Sequence, residues 1–512
     1  MAKPGLGPMS VGSLIATAAV RYADEESFFC SETGRRFSFR QTNDRCNRLA
    51  NALTSLGLVQ GDVLAFLSTN RVEMVEIFFA LAKTGIIGIP LNYRLAPVEI
   101  IDLMRTLGAK ALLAERRFNP VAQQVRAELP QVETHVSFGD GPIAYGHDYE
   151  LLLANSSPAE PEVEIDEGAP YYYNLTSGTT GLPKCYSITQ FNNCSMGPWF
   201  QVMEMSRDDV VLTVFPMFGR VGFAWAAYSV AYGVRNVLSN FEVDKVLQLI
   251  ESERVTISNL VATMAAMLLA APALERHDLS SLRALVFAGS ILPAPVREAV
   301  IASLCPGLYE YYGMQETGTL VVSTPEDRVR RSDSVGRAIL FTGLKIVGAD
   351  GQTLPRDEIG EIVARSPQAV TSYYDNPEKT AETFRNGWIH TGDLGWLDEE
   401  GYLFISGRKK DLIVTGGQNV HPAEVEEFIL SFPEVADCAV VGLSDPLWGE
   451  RVTAVVVAKE GAKINGDDII SKCRARLAGF KTPKQVLVQA EPLPRTATGK
   501  VQKFLLVERY SK

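Results

Sequence analysis

The stretch best suited to chemistry is Tyr173 to Lys184, which reads YNLTSGTTGLPK. Thr176, Ser177, Thr179 and Thr180 surround Gly178 and Gly181, and the stretch closes on Pro183 and Lys184. Glycines let a backbone approach a ligand closely. Four hydroxyls and the exposed amide N–H groups then offer a dense field of donors to phosphate oxygens. The stretch reads as a nucleotide phosphate loop. It is not the GxxxxGK[ST] loop, because the Gly-to-Lys spacing differs and Cys185 stands where a hydroxyl would follow the lysine. A solvated Ser/Thr/Gly connector has the same composition, so the order of residues has to separate the two.

Other catalytic signatures are missing from the sequence. No GxSxG turn offers a serine nucleophile. His135, His147, His277, His390 and His421 show no pairing four residues apart, which speaks against zinc. Seven scattered cysteines without a CxxC pair suit reduced core thiols. A formal charge of −11 argues against a general nucleic-acid binder, so a polyanionic ligand has to be met by local basic clusters. The N-terminus lacks a secretory layout, and the longest apolar stretch, Val221 to Val234, is too short to span a bilayer. A cytoplasmic protein with no membrane span is expected.

A phosphate loop needs a scaffold that delivers it. The chain has 512 residues, 46% of them hydrophobic and 21% charged, which is ordinary globular composition. Asn43 to Leu56, Glu73 to Thr84 and Pro97 to Leu107 carry helical spacing, while Val63 to Leu67 and Ile86 to Leu91 are strand candidates between them. Such alternation predicts parallel sheets covered by helices. The acidic segment Pro158 to Gly168 reads as an exposed linker before the loop. Strand candidates follow at Val210 to Phe215, Ala284 to Phe287 and Gly401 to Ile405. Pro422 to Leu430 is expected to be a helix, and short strands and helices alternate beyond it.

In residue order the loop resembles the signature of the adenylate-forming superfamily, which includes acyl-CoA synthetases, the adenylation domains of peptide synthetases and firefly luciferase. The resemblance continues along most of the chain. YEYYGMQETG, Tyr309 to Gly318, is similar to the family's YGxTE. By that match Tyr312 stacks on adenine, Glu316 helps hold Mg2+, and Tyr311 and Gly313 border the nucleotide. Gln315 stands where the family has a hydroxyl on the α-phosphate, and its amide N–H₂ could donate to the same oxygen. In ALVFAGSILP, Gly289 and Ser290 match the backbone lying against the adenine ring, with Ala288 beside the acyl group. GWIHTGDLG places Asp393 on the ribose hydroxyls, where a carboxylate can accept two hydrogen bonds from a vicinal diol. SGRKKDLIVTGGQNVHPAEVE supplies three family positions. Arg408 reaches ribose or phosphate, Lys410 is the hinge, and Gly416 and Gly417 form the loop that meets pantetheine. LPRTATGKVQK brings Lys500, which matches the lysine bridging the acyl carboxylate and the α-phosphate.

Within the family the chain resembles the benzoate-type CoA ligases. By that likeness Arg94 contacts CoA phosphate, although a solvated surface arginine would look the same. Trp448 and Phe480 pack on the CoA adenine, and Lys481 and Lys484 meet its phosphates. PMFGRVGF, Pro216 to Phe223, departs from the family's P-L-x-H-x-x-G. Gly219 vacates an imidazole-sized volume in an acyl pocket shared with Val221, Gly313 and Trp199, so a bulkier or α-branched acid fits unless a neighbour such as Trp199 refills the space. Arg220 is expected to point outward, the alternative being a pair with a second substrate carboxylate.

The resemblance implies an α/β protein. Residues 1–409 would form a large domain of helix-covered sheets with a small β-barrel-like subdomain, and 410–512 a small mobile α+β domain turning about Lys410. The implied activity is ATP-dependent ligation of a carboxylic acid, aromatic or aryl-alkanoic, to coenzyme A. Thr176, Glu316 and Lys500 stabilise the reacting charges, Lys184 lies by the phosphates, and ATP, Mg2+ and CoA take part. Medium-chain or alicyclic acids, transfer to a carrier protein, and a non-catalytic nucleotide-binding regulator are the alternatives. The expected oligomeric state is monomer or homodimer.

Overall fold

Two sheets share the N-terminal four-fifths of the chain, and a third occupies the C-terminal part. The computed structural model describes residues 9–143, 145–176, 184–289, 292–495 and 500–511, with Thr176 and Lys184 described by backbone only. Ser177, Gly178, Thr179, Thr180, Gly181 and Ser290 therefore lie outside the described residues.

The seven-stranded sheet runs, in spatial order, His147–Asp148, Thr134–Phe138, Ala109–Glu115, Val63–Leu67, Ile87–Pro90, Pro170–Thr176 and Lys184–Thr189. All neighbours are parallel except the last pair, a hairpin in which Thr176 stands opposite Lys184. The fourteen-stranded sheet has two limbs. One is parallel through Glu26–Cys30, Arg235–Leu238, Val210–Thr213, Ile257–Leu260, Ala284–Phe287 and Leu308–Met314. From Leu308–Met314 the sheet continues antiparallel through Gly318–Ser323, Gly336–Ala338, Tyr402–Arg408, Trp388–Leu397, Gly360–Arg365 and Gly343–Val347. The expected barrel-like subdomain corresponds to this antiparallel limb, which is hydrogen-bonded as an open path.

Helices Val72–Thr84 and Arg220–Tyr232 lie between the two sheets. Every residue of the first is buried, and Phe78 stacks on Phe223 at 3.8 Å between ring centroids. Burial from all sides explains why the segment after Val221 is apolar right round, and why it carries no amphipathic stripe. The Pro158–Gly168 segment is largely exposed, as expected, yet it is tied down. Asn47 donates to the Pro158 carbonyl at 2.9 Å, and the buried Lys83 ammonium reaches Glu160 at 2.6 Å.

The large sheet ends at Arg408, and the five-stranded sheet begins with Ile413–Thr415 and has its own apolar core. Lys409–Asp411 is a single turn of 3₁₀ helix between them. Helix Pro422–Leu430 matches the expected span, with proline in its first turn where no N–H is needed. Among the described residues no helix is long and apolar enough to cross a membrane.

Candidate active site

One group of described residues that match the nucleotide motifs follows the carboxyl ends of parallel strands, where open α/β sheets bind ligands. Pro170–Thr176 leads into the undescribed loop, Ala284–Phe287 leads to Gly289, and Leu308–Met314 leads to Gln315 and Glu316. Two tyrosines join the hairpin to the last of these turns. The Tyr186 hydroxyl donates to Gln315 Oε1 at 3.2 Å, which leaves the amide nitrogen as the donor of that side chain. Tyr373 donates to Glu316 Oε1 at 2.8 Å, and Tyr186 and Tyr373 form a backbone bridge. Glu316 is only 5% exposed, so its carboxylate is held in place. Burial, and then the Glu316 charge, push the Tyr373 hydroxyl well above its usual pKa, so it stays a donor. Gly313 admits no side chain, because a Cβ there would lie 2.0 Å from the Gly318 carbonyl oxygen.

Arg220 corrects both readings made from the sequence. It is 2% exposed, and its guanidinium donates to the Gln315 carbonyl at 2.9 Å and to the Gln368 carbonyl. Gln368 Oε1 in turn accepts from the Thr319 N–H at 2.9 Å. The arginine neither faces solvent nor presents its fork to a substrate carboxylate. It braces the Gln315–Thr319 turn. A buried guanidinium is tolerated here because carbonyl oxygens satisfy two of its nitrogens.

On the antiparallel limb, Asp393 and Arg408 stand opposite each other across adjacent strands. Asp393 is 5% exposed, accepts from the Tyr312 hydroxyl at 2.7 Å and meets Arg408 Nε at 2.9 Å. Burial, reinforced by Asp393, pushes the Tyr312 hydroxyl far above its usual pKa and keeps it protonated. Lys500 arrives from the C-terminal unit into the same neighbourhood. Its side chain keeps access to solvent, yet desolvation by the protein packed around it, followed by Arg408, lowers its ammonium pKa; Asp393 and Glu316 act in the opposite sense and Lys410 adds repulsion. Residues nearly two hundred apart in sequence are thereby electrostatically coupled.

The residues assigned to the acyl pocket divide into two groups. A Cβ on Gly219 would meet only the Pro216 carbonyl oxygen, at 3.5 Å, so no side chain lies directly against that position. Trp199 is instead buried against Phe200, Trp225 and Tyr311, together with the partly buried Val221. Tyr311 also departs from its expected place. Strand alternation turns it to the face opposite Tyr312, and its ring lies 5.1 Å from that of Trp199. Ala288 is buried at the end of its strand.

In the C-terminal unit Gly416 and Gly417 form a two-residue hairpin turn with φ of 55° and 77°, the backbone such tight turns require. A Cβ on Gly416 would lie 2.8 Å from the Trp448 ring, whereas the position at Gly417 is open. Trp448 is 46% exposed. Phe480 packs against the unit's core with Lys481 Nζ 5.8 Å from its ring centroid. Lys481 is engaged by both carboxylate oxygens of Glu424 at 2.7 Å, and Lys484 donates to the Gly479 carbonyl. Arg94 is exposed with its guanidinium 5.5 Å from the Tyr93 ring centroid. Beside Lys410, Lys409 reaches Glu361 at 3.4 Å, and Glu361 also meets His390 at 3.2 Å.

Sequence reasoning missed Tyr186, Tyr373, Gln368, Glu361 and Glu424. Each acts through another residue far away in sequence, and none lies in a spacing that announces chemistry. The hydroxyl-bearing side chains nearest the loop were the one available signal, and they point to Tyr186.

The family described as AMP-binding enzyme matches residues 15–374, and its C-terminal domain matches residues 424–500. The chain belongs to this family. It is 34% identical over 511 residues to the long-chain-fatty-acid–CoA ligase FadD13 of Mycobacterium tuberculosis, covering 98% of this chain and 99% of that one. It is 36% identical over 477 residues to an indoleacetate–CoA ligase of Aromatoleum aromaticum, covering 92% of each. Its structure matches ATP-bound MatB from Rhodopseudomonas palustris with a TM-score of 0.90, at 28% identity and 99% coverage of both chains.

Proposed function

We propose that this acyl-CoA synthetase acts on an aromatic or aryl-alkanoic acid, first forming an acyl-adenylate and then a CoA thioester. The coupling of Lys500 to Asp393, Arg408 and Glu316 carries the reading. An ammonium coupled to two buried carboxylates, Asp393 and Glu316, suits the joining of two anions. The substrate carboxylate oxygen attacks the α-phosphorus, and the bond to pyrophosphate breaks. Charge grows on the α-phosphate oxygens, where a preorganised cation and amide or hydroxyl donors act most strongly. In this assignment Lys500 and the amide of Gln315 donate there, with Thr176, Lys184 and the loop between them on the phosphates. Asp393 and Arg408 hold the ribose, and Tyr312 and Gly289 border the base. CoA thiolate then attacks the acyl carbon and AMP leaves.

Mg2+ suits the donor set. Among the described residues no group of three carboxylate, histidine or cysteine ligands exists. One buried carboxylate, Glu316, fits an ion that takes one or two protein ligands and completes its shell with phosphate and water. Bound there, Mg2+ would neutralise phosphate charge. We place the boundary between 1–409 and 410–512 at the turn holding Lys410. Rotation there would withdraw Lys500 and bring forward the Gly416–Gly417 hairpin, with Trp448 and Phe480 for the CoA adenine and Arg94 for its phosphate. Lys481 would first have to leave Glu424. Seven free cysteines agree with a reducing, cytoplasmic setting.

The test is acid-dependent pyrophosphate release from ATP, with the thioester identified by mass once CoA is added. Pyrophosphate release without thioester formation would move the reading to a different acceptor. No release with any benzoate, arylacetate or fatty acid would end it.

A further inference from the structure

Gln315 is held at both of its oxygens. Arg220 donates to its backbone carbonyl at 2.9 Å, and the Tyr186 hydroxyl donates to its side-chain Oε1 at 3.2 Å. Tyr186 stands opposite Asn174 in the hairpin whose strands flank the undescribed loop, and it is fully buried in the apolar cluster that holds Tyr172, Val370 and Tyr373. Its backbone bridge to Tyr373, which itself donates to Glu316, ties the position of the phenol to the turn it serves. Burial, and then the Glu316 charge, raise the Tyr186 pKa well above its usual value against the opposing Arg220, so the hydroxyl keeps its proton.

That proton decides which way the amide faces. Among the described residues Gln315 Oε1 is its one acceptor. Flipping the amide would set an N–H₂ against the hydroxyl, and a buried O–H would then have no acceptor, which folded proteins avoid. Gln315 itself is only half-buried, and among the described residues nothing accepts from its Nε2. The side chain therefore offers a fixed N–H₂ where a freely turning amide would offer its carbonyl oxygen as readily.

Resting on the acyl-CoA synthetase reading, we infer that Tyr186 is a positioning residue for adenylation, whose hydroxyl holds Gln315 Oε1 so that the amide N–H₂ faces the α-phosphate. An oxygen turned there instead would meet the phosphate oxygens as one acceptor meets another, and the two would repel. Tyr186 touches no substrate in this assignment. It acts through Gln315 alone.

Pyrophosphate release is measured at saturating ATP, with an acid that the wild type accepts, in wild type, Tyr186→Phe, Gln315→Thr and the double variant. Tyr186→Phe should lower kcat by about 10-fold, equivalent to about 1.4 kcal/mol and the size of one neutral hydrogen bond. In the Gln315→Thr background the same change should cost less than about 2-fold, because a threonine hydroxyl turns to suit its acceptor and needs no neighbour to orient it. Gln315→Met supplies a second background. With no amide to orient, Tyr186→Phe should again add less than about 2-fold there. A tyrosine that only supports the fold would cost the same whatever stands at 315. That result, or a Tyr186→Phe enzyme working at the wild-type rate, overturns the inference and leaves the synthetase reading intact. A wild type that releases no pyrophosphate with any acid overturns both.

Discussion

Replacing Lys500 by alanine tests the electrostatic core of the mechanism. The ammonium is electrostatically coupled to Arg408, Asp393, Glu316 and Lys410. A unit charge about 4 Å from a phosphate oxygen contributes about 4 kcal/mol at an effective dielectric of about 20. Loss of one preorganised donor to a developing oxyanion typically costs about 10² to 10³ in rate. Adenylation should therefore slow by about 10² to 10³, measured as single-turnover pyrophosphate release. Thioester formation from supplied acyl-adenylate and CoA should persist near the wild-type rate, because the proposed rotation removes Lys500 from that step. The wild type should also show a distinctive pH profile. Desolvation by the surrounding protein and the charge of Arg408 lower the Lys500 pKa in the free enzyme, so the active ammonium is lost as pH rises through a value below the ordinary lysine range. The alkaline limb of kcat/KM for ATP should fall there, and the limb of kcat should lie higher, since bound phosphates favour the ammonium. Equal loss of both half-reactions in Lys500→Ala, or an alkaline limb unaffected by Lys500→Arg, would refute the division of labour.

Gly417→Leu should slow the thioester step more than about 10-fold with adenylation intact. Its φ of 77° adds about 1–2 kcal/mol of backbone strain, so Gly417→Asn, which accepts that geometry, serves as the control and should behave nearly as wild type. Gly219→His should fill open space and lower kcat/KM for α-branched acids relative to straight ones; unchanged selectivity would remove that space from the acyl pocket. Arg220→Met should lower stability by about 2–4 kcal/mol in urea unfolding, since two buried carbonyls lose their donor. A variant as stable as wild type would show that the turn at Gln315 does not depend on it.

Much of this architecture was legible because its signals are local. Val63–Leu67 and Pro422–Leu430 fall on the expected spans, since apolar period and a first-turn proline are written in neighbouring residues. Asp393 and Arg408 were also legible, and the structure adds that they face each other across one strand pair. Contacts made across the fold are not written in neighbouring residues. Arg220 reads as a surface arginine until Gln315 and Gln368, about 100 and 150 residues away, come within reach of it. Lys481 reads as available until Glu424 takes it. Tyr311 and Tyr312 look equivalent in a motif, yet a strand gives successive residues opposite faces.

The protein as a whole carries −11, which is adverse to a polyanion unless basic groups gather locally. Around Lys500 they do. Lys500, Arg408 and Lys410 are opposed within that cluster by Asp393 and Glu316, so three positive charges face two negative ones. The mutual repulsion helps to lower the Lys500 pKa, and it is relieved when a phosphate chain enters, so nucleotide binding and protonation of Lys500 reinforce each other. Arg408 precedes and Lys410 lies within the turn on which we place the rotation, so the cations that repel Lys500 sit at the proposed hinge. In the proposed mechanism, release of pyrophosphate would remove much of the negative charge facing this cluster and restore part of the repulsion, which would favour withdrawal of Lys500 at the step where the CoA thiol needs access to the acyl carbon.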